Sequence, residues 1–334
     1  MRIAATHVWE VSSALQRLGA VLFIAVLVAA CSGSTNAAGT GGGASPSAAA
    51  PAANDQLAAI LARGTVIIST DLAYPPQSFA RDNAVRTPGS RCAANQLTAG
   101  EMDGFDVQTA IAVAARLGVE PCFVAPQWTE VTGGSWGDRW DISIGSMDIS
   151  RDRMKVLYFA QPYYATPSVL FVRKESAFQK PSDLDGKKVG ACLDCTQYAY
   201  LDSSLDLPGQ KLTPAIAKPV IVGYDVEGPG LDDLTAGNGK VDAFLASISV
   251  GQPYVGDAKP VRMIDQPLFY GYSAPAIDRR SGRDPVAFLA RINEIIKGLQ
   301  ADGTMTRLSQ QFFGSDLASQ AASFDLSSIG QAVP

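Results

Sequence analysis

The chain has 334 residues, enough for one large domain or two ordinary ones, and its 47% hydrophobic content supports a real core, which excludes disorder throughout. Its 27 basic residues are outnumbered by 32 acidic ones, so there is no basic surface to track phosphates and nucleic acid is not an expected partner. The single histidine is His7, which removes imidazole bases and histidine metal ligands from the rest of the chain, and with them most hydrolase and zinc-enzyme functions.

At the N-terminus, Arg2 and Arg17 precede an apolar run, Leu18 to Ala30, that is too short to span a bilayer comfortably and ends in Val28-Ala29-Ala30-Cys31. The pattern resembles a lipoprotein signal peptide over residues 1–30, with Cys31 as the lipid-bearing first residue of the mature protein; an uncleaved anchor helix is the alternative. Either way the remainder is expected outside the cytoplasm, attached to the cell membrane. Residues 31–54 are small and polar with no aromatic and no charge, and read as a flexible tether.

The folded part opens with a helix from Gln56 to Arg63, capped by Asn54 or Asp55 and broken by Gly64, and then an apolar strand from Thr65 to Thr70. Pro75 and Pro76 fix an extended turn, and a polar insert with Cys92 runs from Arg81 to Asp103. Asp106 reads as the cap of a helix from Val107 to Leu117 that stops at Gly118, and Cys122 to Val124 begins the next strand. From Asp141 to Met147 the residues alternate as in a short buried strand, followed by a polar knot from Asp148 to Arg153. There the Arg153 guanidinium can point back over the strand end, where open α/β sheets hold ligands; taken alone, it could equally salt a surface turn. An amphipathic turn through Met154, Val156, Leu157 and Phe159 leads to a strand from Ser168 to Arg173. Further elements are a strand, loop and helix start over Val189 to Gln197, a strand from Ile221 to Asp225 and a helix from Gly230 to Ala236. The chain returns through Leu268 to Ile277, and a helix starting at Asp284-Pro285 turns Phe288, Ile292, Ile295, Ile296 and Leu299 inward.

Ser146, Ser150, Arg153, Phe159, Pro162 and Tyr163 fall without a gap on a pattern that resembles the type 2 periplasmic binding proteins, in particular the polar-amino-acid solute-binding family that feeds ABC importers. Asp71 to Phe79, Gly104 to Val107, Pro181 to Gly190, Val241 to Ser247 and the closing Asp302-Gly303-Thr304 and Gln311 to Gly314 are similar to further family elements in the same order. The resemblance implies an α/β fold of two lobes, each a mixed sheet flanked by helices, joined by two crossing segments that form a hinge. Lobe one would comprise residues 55–166 and 271–325, lobe two 167–270, with 326–334 as a tail.

Several roles follow from the same resemblance. Arg153 takes the ligand carboxylate as a bidentate pair, and Thr196 meets that carboxylate from the other lobe. Tyr74 and Trp128 are the cleft aromatics, although turn packing and core packing are the respective alternatives. Ser146 falls on the ligand loop. The family aspartate that holds the ligand's α-ammonium is replaced by Ser247, so Asp148, and secondarily Asp71, offer a substitute charge. The implied function is capture of a small carboxylate-bearing solute, expected to be an amino acid, by a monomer that delivers it to an ABC permease, with no cofactor and no metal. The rival is an enzyme on the same fold, of the cyclohexadienyl or arogenate dehydratase kind. Four cysteines remain beyond Cys31; the simplest pairing is Cys92 with Cys122 and Cys192 with Cys195, while the second pair also fits a redox centre.

Overall fold

The computed structural model describes residues 54–332, so the expected signal peptide, Cys31 and the expected tether up to residue 53 lie outside the described residues. Helix α1 (Gln56–Arg63) is capped by the Asp55 side chain, which accepts from the Ala58 amide, and ends at Gly64 in the left-handed region. Strand β1 (Thr65–Ser69) follows, then the short strands β2 (Ala73–Tyr74) and β3 (Ser78–Ala80). The polar insert carries β4 (Leu97–Thr98) and β5 (Met102–Asp103).

Helix α2 (Phe105–Leu117) starts two residues before the expected position, and its N-cap is Gly104, not Asp106. Gly104 has φ 124°, and a Cβ there would stand 2.3 Å from the Gln77 carbonyl oxygen, so the entry turn requires glycine. Asp106 is thereby released from capping. Next come β6 (Glu120–Val124), α3 (Trp128–Gly133) and β7 (Ile142–Ser143). The expected strand from Asp141 to Met147 is cut to two residues, because Ser146, at φ 54°, turns the chain toward the cleft. The expected amphipathic turn also divides: Ser150 caps α4 (Arg151–Met154) by accepting from the Arg153 amide, whereas Leu157 and Phe159 belong to a strand, β8 (Leu157–Phe159).

The second half contains β9 (Tyr164–Arg173), β10 (Lys188–Cys192), α5 (Thr196–Leu201), β11 (Val220–Tyr224) and α6 (Glu227–Ala236). Helix α6 begins three residues ahead of its expected start, with Gly228, Pro229 and Gly230 inside it. It is followed by β12 (Ala243–Ser247), α7 (Ile248–Gly251), β13 (Val261–Ser273), β14 (Ala276–Asp278), α8 (Val286–Ala301) and α9 (Thr304–Phe313).

Two larger sheets organise these elements. The first has the order β4-β6-β1-β7-β14-β8, with β6, β1 and β7 parallel; the second has the order β11-β10-β12-β9-β13, with β11, β10 and β12 parallel. A small β2-β3-β5 sheet flanks the first. Each larger sheet has its own core: Phe105, Phe123, Ile142 and Phe288 are buried on the first, and Leu170, Val189, Leu245 and Phe244 on the second. The chain passes between the sheets on a two-stranded ribbon in which Tyr164 to Pro167 pairs with Ser273 to Tyr270, and only from Ser168 onward does β9 gain β12 as a second neighbour. This is a mixed α/β fold of two lobes with two crossing strands.

The cysteines pair as Cys92 with Cys122 and Cys192 with Cys195. The first bridge fastens the insert to β6, and the second closes the turn after β10 around Leu193 and Asp194.

Candidate functional site

Parallel strands present their carboxyl ends on one side of a sheet, and ligands of open α/β sheets collect there. Residues at or just past the ends of β1 (Asp71), β7 (Ser146, Asp148), β10 (Thr196), β11 (Asp225) and β12 (Ser247) line a single cleft. Tyr74, Trp128 and Arg153 also line it, so the cleft brings all eight sequence-expected ligand residues together.

Arg153 is only 8% exposed. Its Nη1 donates to the Asp148 carbonyl at 3.0 Å and its Nη2 to the Asp194 carbonyl at 2.7 Å, and the guanidinium lies 5.3 Å from the centre of the Trp128 ring. Burial pulls its pKa down, while the Asp148 and Asp194 carboxylates push it up. Two backbone acceptors leave part of a five-donor fork for a ligand. Trp128 is half-buried, with its Nε1 donating to the same Asp194 carbonyl at 3.3 Å.

Asp148 is buried and engaged on both oxygens, accepting from Thr196 Oγ1 and from Ser273 Oγ, each at 2.8 Å. Burial raises its pKa, and Arg153 and the two hydroxyls oppose that rise. Since Thr196 stands on the second sheet's side and Asp148 on the first's, their bond ties the lobes across the cleft. Gly271 makes room for this carboxylate: a Cβ there would meet Asp148 Oδ2 at 2.3 Å.

The remaining expected residues are held less directly. Ser146 donates from Oγ to Asp106 Oδ2 at 2.7 Å, and Tyr163 donates to Asp106 Oδ1 at 2.7 Å while accepting from the Ser146 amide at 2.8 Å. Asp106 thus positions the loop that carries Ser146, and burial raises its pKa to about 7. Asp71 accepts from the Ala73 amide at 2.8 Å within its own turn and stays half-exposed.

Sequence reasoning missed Glu227. In the first turn of α6 and 1% exposed, it accepts from Tyr74 Oη at 3.0 Å, from the Ser247 amide at 3.3 Å and from Ser247 Oγ at 3.4 Å. Burial raises its pKa to about 7, and Asp148 adds to that rise. An acid just past a strand end and opening a helix was the available signal, but Gly228-Pro229-Gly230 disguised the helix start. Also in the cleft, the buried hydroxyls of Ser69, Thr70 and Thr166 have no hydrogen-bond partner among the described residues, which suits a ligand with several polar groups.

Residues 92–315 match the family described as bacterial extracellular solute-binding proteins, family 3. The L-cystine-binding protein TcyJ of Escherichia coli is 26% identical over 257 residues, which are 76% of this chain and 85% of that protein. The ABC transporter arginine-binding protein 1 of Escherichia coli is 25% identical over 219 residues, 64% of this chain and 82% of that protein. Among solved structures, the ancestral amino acid-binding protein AncCDT-1, a precursor of cyclohexadienyl dehydratase, superposes with a TM-score of 0.61 at 25% identity, covering 78% of this chain and 99% of that one. With two-thirds of its length on the family pattern and its cleft at the strand ends of two lobes, the chain belongs to the bacterial extracellular solute-binding proteins, family 3.

Proposed function

We propose that the chain is the extracytoplasmic solute-binding component of an ABC importer, that it captures an amino acid between its lobes as a monomer, and that Arg153 takes the ligand carboxylate. The observation that carries this reading is the Arg153 guanidinium, buried in the cleft with two backbone carbonyls as its only hydrogen-bond acceptors among the described residues. A planar fork so placed matches a carboxylate in two parallel bonds. The names of the relatives, an L-cystine-binding and an arginine-binding protein, agree with an amino-acid ligand. A thermal-shift screen of L-amino acids and other carboxylates tests the reading: a carboxylate-bearing ligand should raise the melting temperature of the parent and leave that of Arg153→Ala unmoved. Equal shifts in both proteins contradict it.

In this reading Cys31 carries lipid and tethers the protein to the outer or periplasmic face of the membrane through the residues that follow it. Intact-mass analysis of membrane-extracted protein should show an acylated Cys31 at the mature N-terminus, and an unmodified one excludes the anchor.

A second reading, an enzyme of the cyclohexadienyl dehydratase kind, is favoured by one observation: Glu227 is a buried carboxyl with a pKa of about 7, suited to proton donation near neutrality. Incubation with prephenate or arogenate discriminates the two, since turnover requires the enzyme and its absence leaves the carrier.

A further inference from the structure

The cleft is charged unevenly. The buried guanidinium of Arg153 lines it together with the carboxylates of Asp71, Asp148 and Asp225, while Tyr74 and Ser247 contribute neutral hydroxyls that are not bonded to Arg153. Both hydroxyls point their protons at one group, since Tyr74 Oη donates to Glu227 Oε2 at 3.0 Å and Ser247 Oγ donates to the same oxygen at 3.4 Å. A hydroxyl that gives its proton away keeps its lone pairs for accepting, so Glu227 fixes two acceptors on residues of the cleft wall and places a carboxylate directly behind them.

Among the described residues no lysine or arginine forms an ion pair with Glu227. A buried carboxylate in that position is costly unless a cation neutralises it. Asp148 is poorly placed to take the same part, because Thr196 and Ser273 already donate to both of its oxygens and Arg153 lies beside it.

We infer that Glu227 is the counter-charge for the ligand's α-ammonium, acting through the hydroxyl oxygens of Tyr74 and Ser247, so that the cleft recognises a zwitterion by opposite charges at two places. Glu227 is a positioning residue, since the ammonium meets the two hydroxyls and the carboxylate sets their direction and supplies the charge. Ser247, a serine where the resembling family carries aspartate, is thereby explained: the charge has moved one side chain back from the cleft wall. The elevated pKa of Glu227 agrees with a carboxylate awaiting a cation.

The inference rests on the amino-acid reading above, and the test separates the two. Calorimetric titrations would compare L-arginine with des-amino arginine, and L-cystine with its des-amino form dithiodipropionate, on the parent, Glu227→Gln, Arg153→Ala and the double variant Glu227→Gln with Ser247→Asp. For whichever amino acid binds the parent, Glu227→Gln should weaken it by at least about thirtyfold, about 2 kcal/mol, while leaving the des-amino form within threefold. Arg153→Ala should weaken both forms. Ser247→Asp in the Glu227→Gln background should restore the preference for the amino acid, a rescue that a merely structural role for Glu227 does not give and that also shows the variant is folded. Equal weakening of both forms by Glu227→Gln, no weakening of either, or a parent that already prefers the des-amino form overturns the Glu227 assignment and leaves the carboxylate reading standing. A parent that binds none of the four compounds and no other L-amino acid in the thermal-shift screen, or Arg153→Ala that binds as the parent does, overturns the amino-acid reading and the inference with it.

Discussion

The two charged places of the cleft are built in opposite ways. Arg153 is positioned mainly by its own neighbourhood in sequence: Ser150 caps its helix turn and the Asp148 carbonyl, five residues away, accepts one of its protons, while the Asp194 carbonyl of the other lobe accepts a second. Glu227 draws its partners from Tyr74, more than 150 positions earlier, and from Ser247, 20 positions later. The first place is set mainly by a local motif, to which the other lobe adds the Asp194 carbonyl; the second gains Tyr74 only after the lobes have come together. A local motif can be read from one segment, while a charge assembled across lobes needs the fold.

The sharpest way to break this contrast is to remove its local half. Arg153→Ala leaves a ligand carboxylate unpaired in a buried cleft, which costs about 2 to 5 kcal/mol, or roughly thirtyfold to several thousandfold in affinity. Calorimetry reads this directly, and a loss of only a few-fold removes Arg153 from the site.

The two disulfides extend the comparison. Cys92–Cys122 closes a 30-residue separation at residues that do not line the cleft, and Cys192–Cys195 closes a separation of three residues around Asp194, whose carbonyl accepts from both Arg153 and Trp128. On chain-entropy grounds, replacing the first pair by serine should cost roughly 3 to 4 kcal/mol of stability with affinity unchanged. Replacing the second pair should cost less stability, roughly 1 to 2 kcal/mol, and should weaken ligand binding by loosening the Asp194 carbonyl. Denaturant titration and calorimetry on both variants check this, and the expectation fails if both bridges affect affinity alike.

Gly271→Ala probes the joint between the two halves. Its Cβ would meet the Asp148 carboxylate, which must shift and give up hydroxyl bonds to Thr196 or Ser273, a loss of about 1 to 3 kcal/mol by the usual cost of a broken buried polar contact. A melting temperature equal to the parent's shows that the joint contributes little.

The last effect is electrostatic and is read as a slope against pH. Glu227 and Asp106 hold their protons to about pH 7 in the folded chain, against ordinary values of 4.5 and 3.8. Between those limits the folded state binds more protons than the unfolded chain, so their contribution is fully present below about pH 4 and is lost as pH rises through about 7, by at most about 1.4 kcal/mol per pH unit for each group. The ligand-free parent should therefore lose stability across that window, and Glu227→Gln should lose less. An unchanged slope in Glu227→Gln argues that Glu227 is ionised throughout.

How much of this was legible in the sequence follows from the same contrast. The Arg153 loop, the proline turn after Tyr74 and the helix ending at Gly118 are set by neighbouring residues; the helix could be read from periodicity, and the cleft placement of the first two from the family resemblance. The assignment of Asp106 as a cap failed because Gly104, at φ 124°, takes the N-cap position and leaves the carboxylate to Ser146 and Tyr163. The strand from Asp141 was read too long because its alternation continues past a serine that the turn forces to positive φ. Asp148 looked like the spare charge of the site, and only the hydroxyls of Thr196 and Ser273, 48 and 125 residues away, show both of its oxygens engaged. Glu227 was invisible because glycine and proline conventionally end helices and here lie within the first turns of one.

The most direct test of the whole account is a calorimetric titration of the parent protein with its preferred amino acid and with that compound's decarboxylated and des-amino forms. The account predicts that each truncated form binds at least about thirtyfold more weakly, because each leaves one buried charge, Arg153 or Glu227, without its partner. A decarboxylated form that binds as tightly as the amino acid would contradict it.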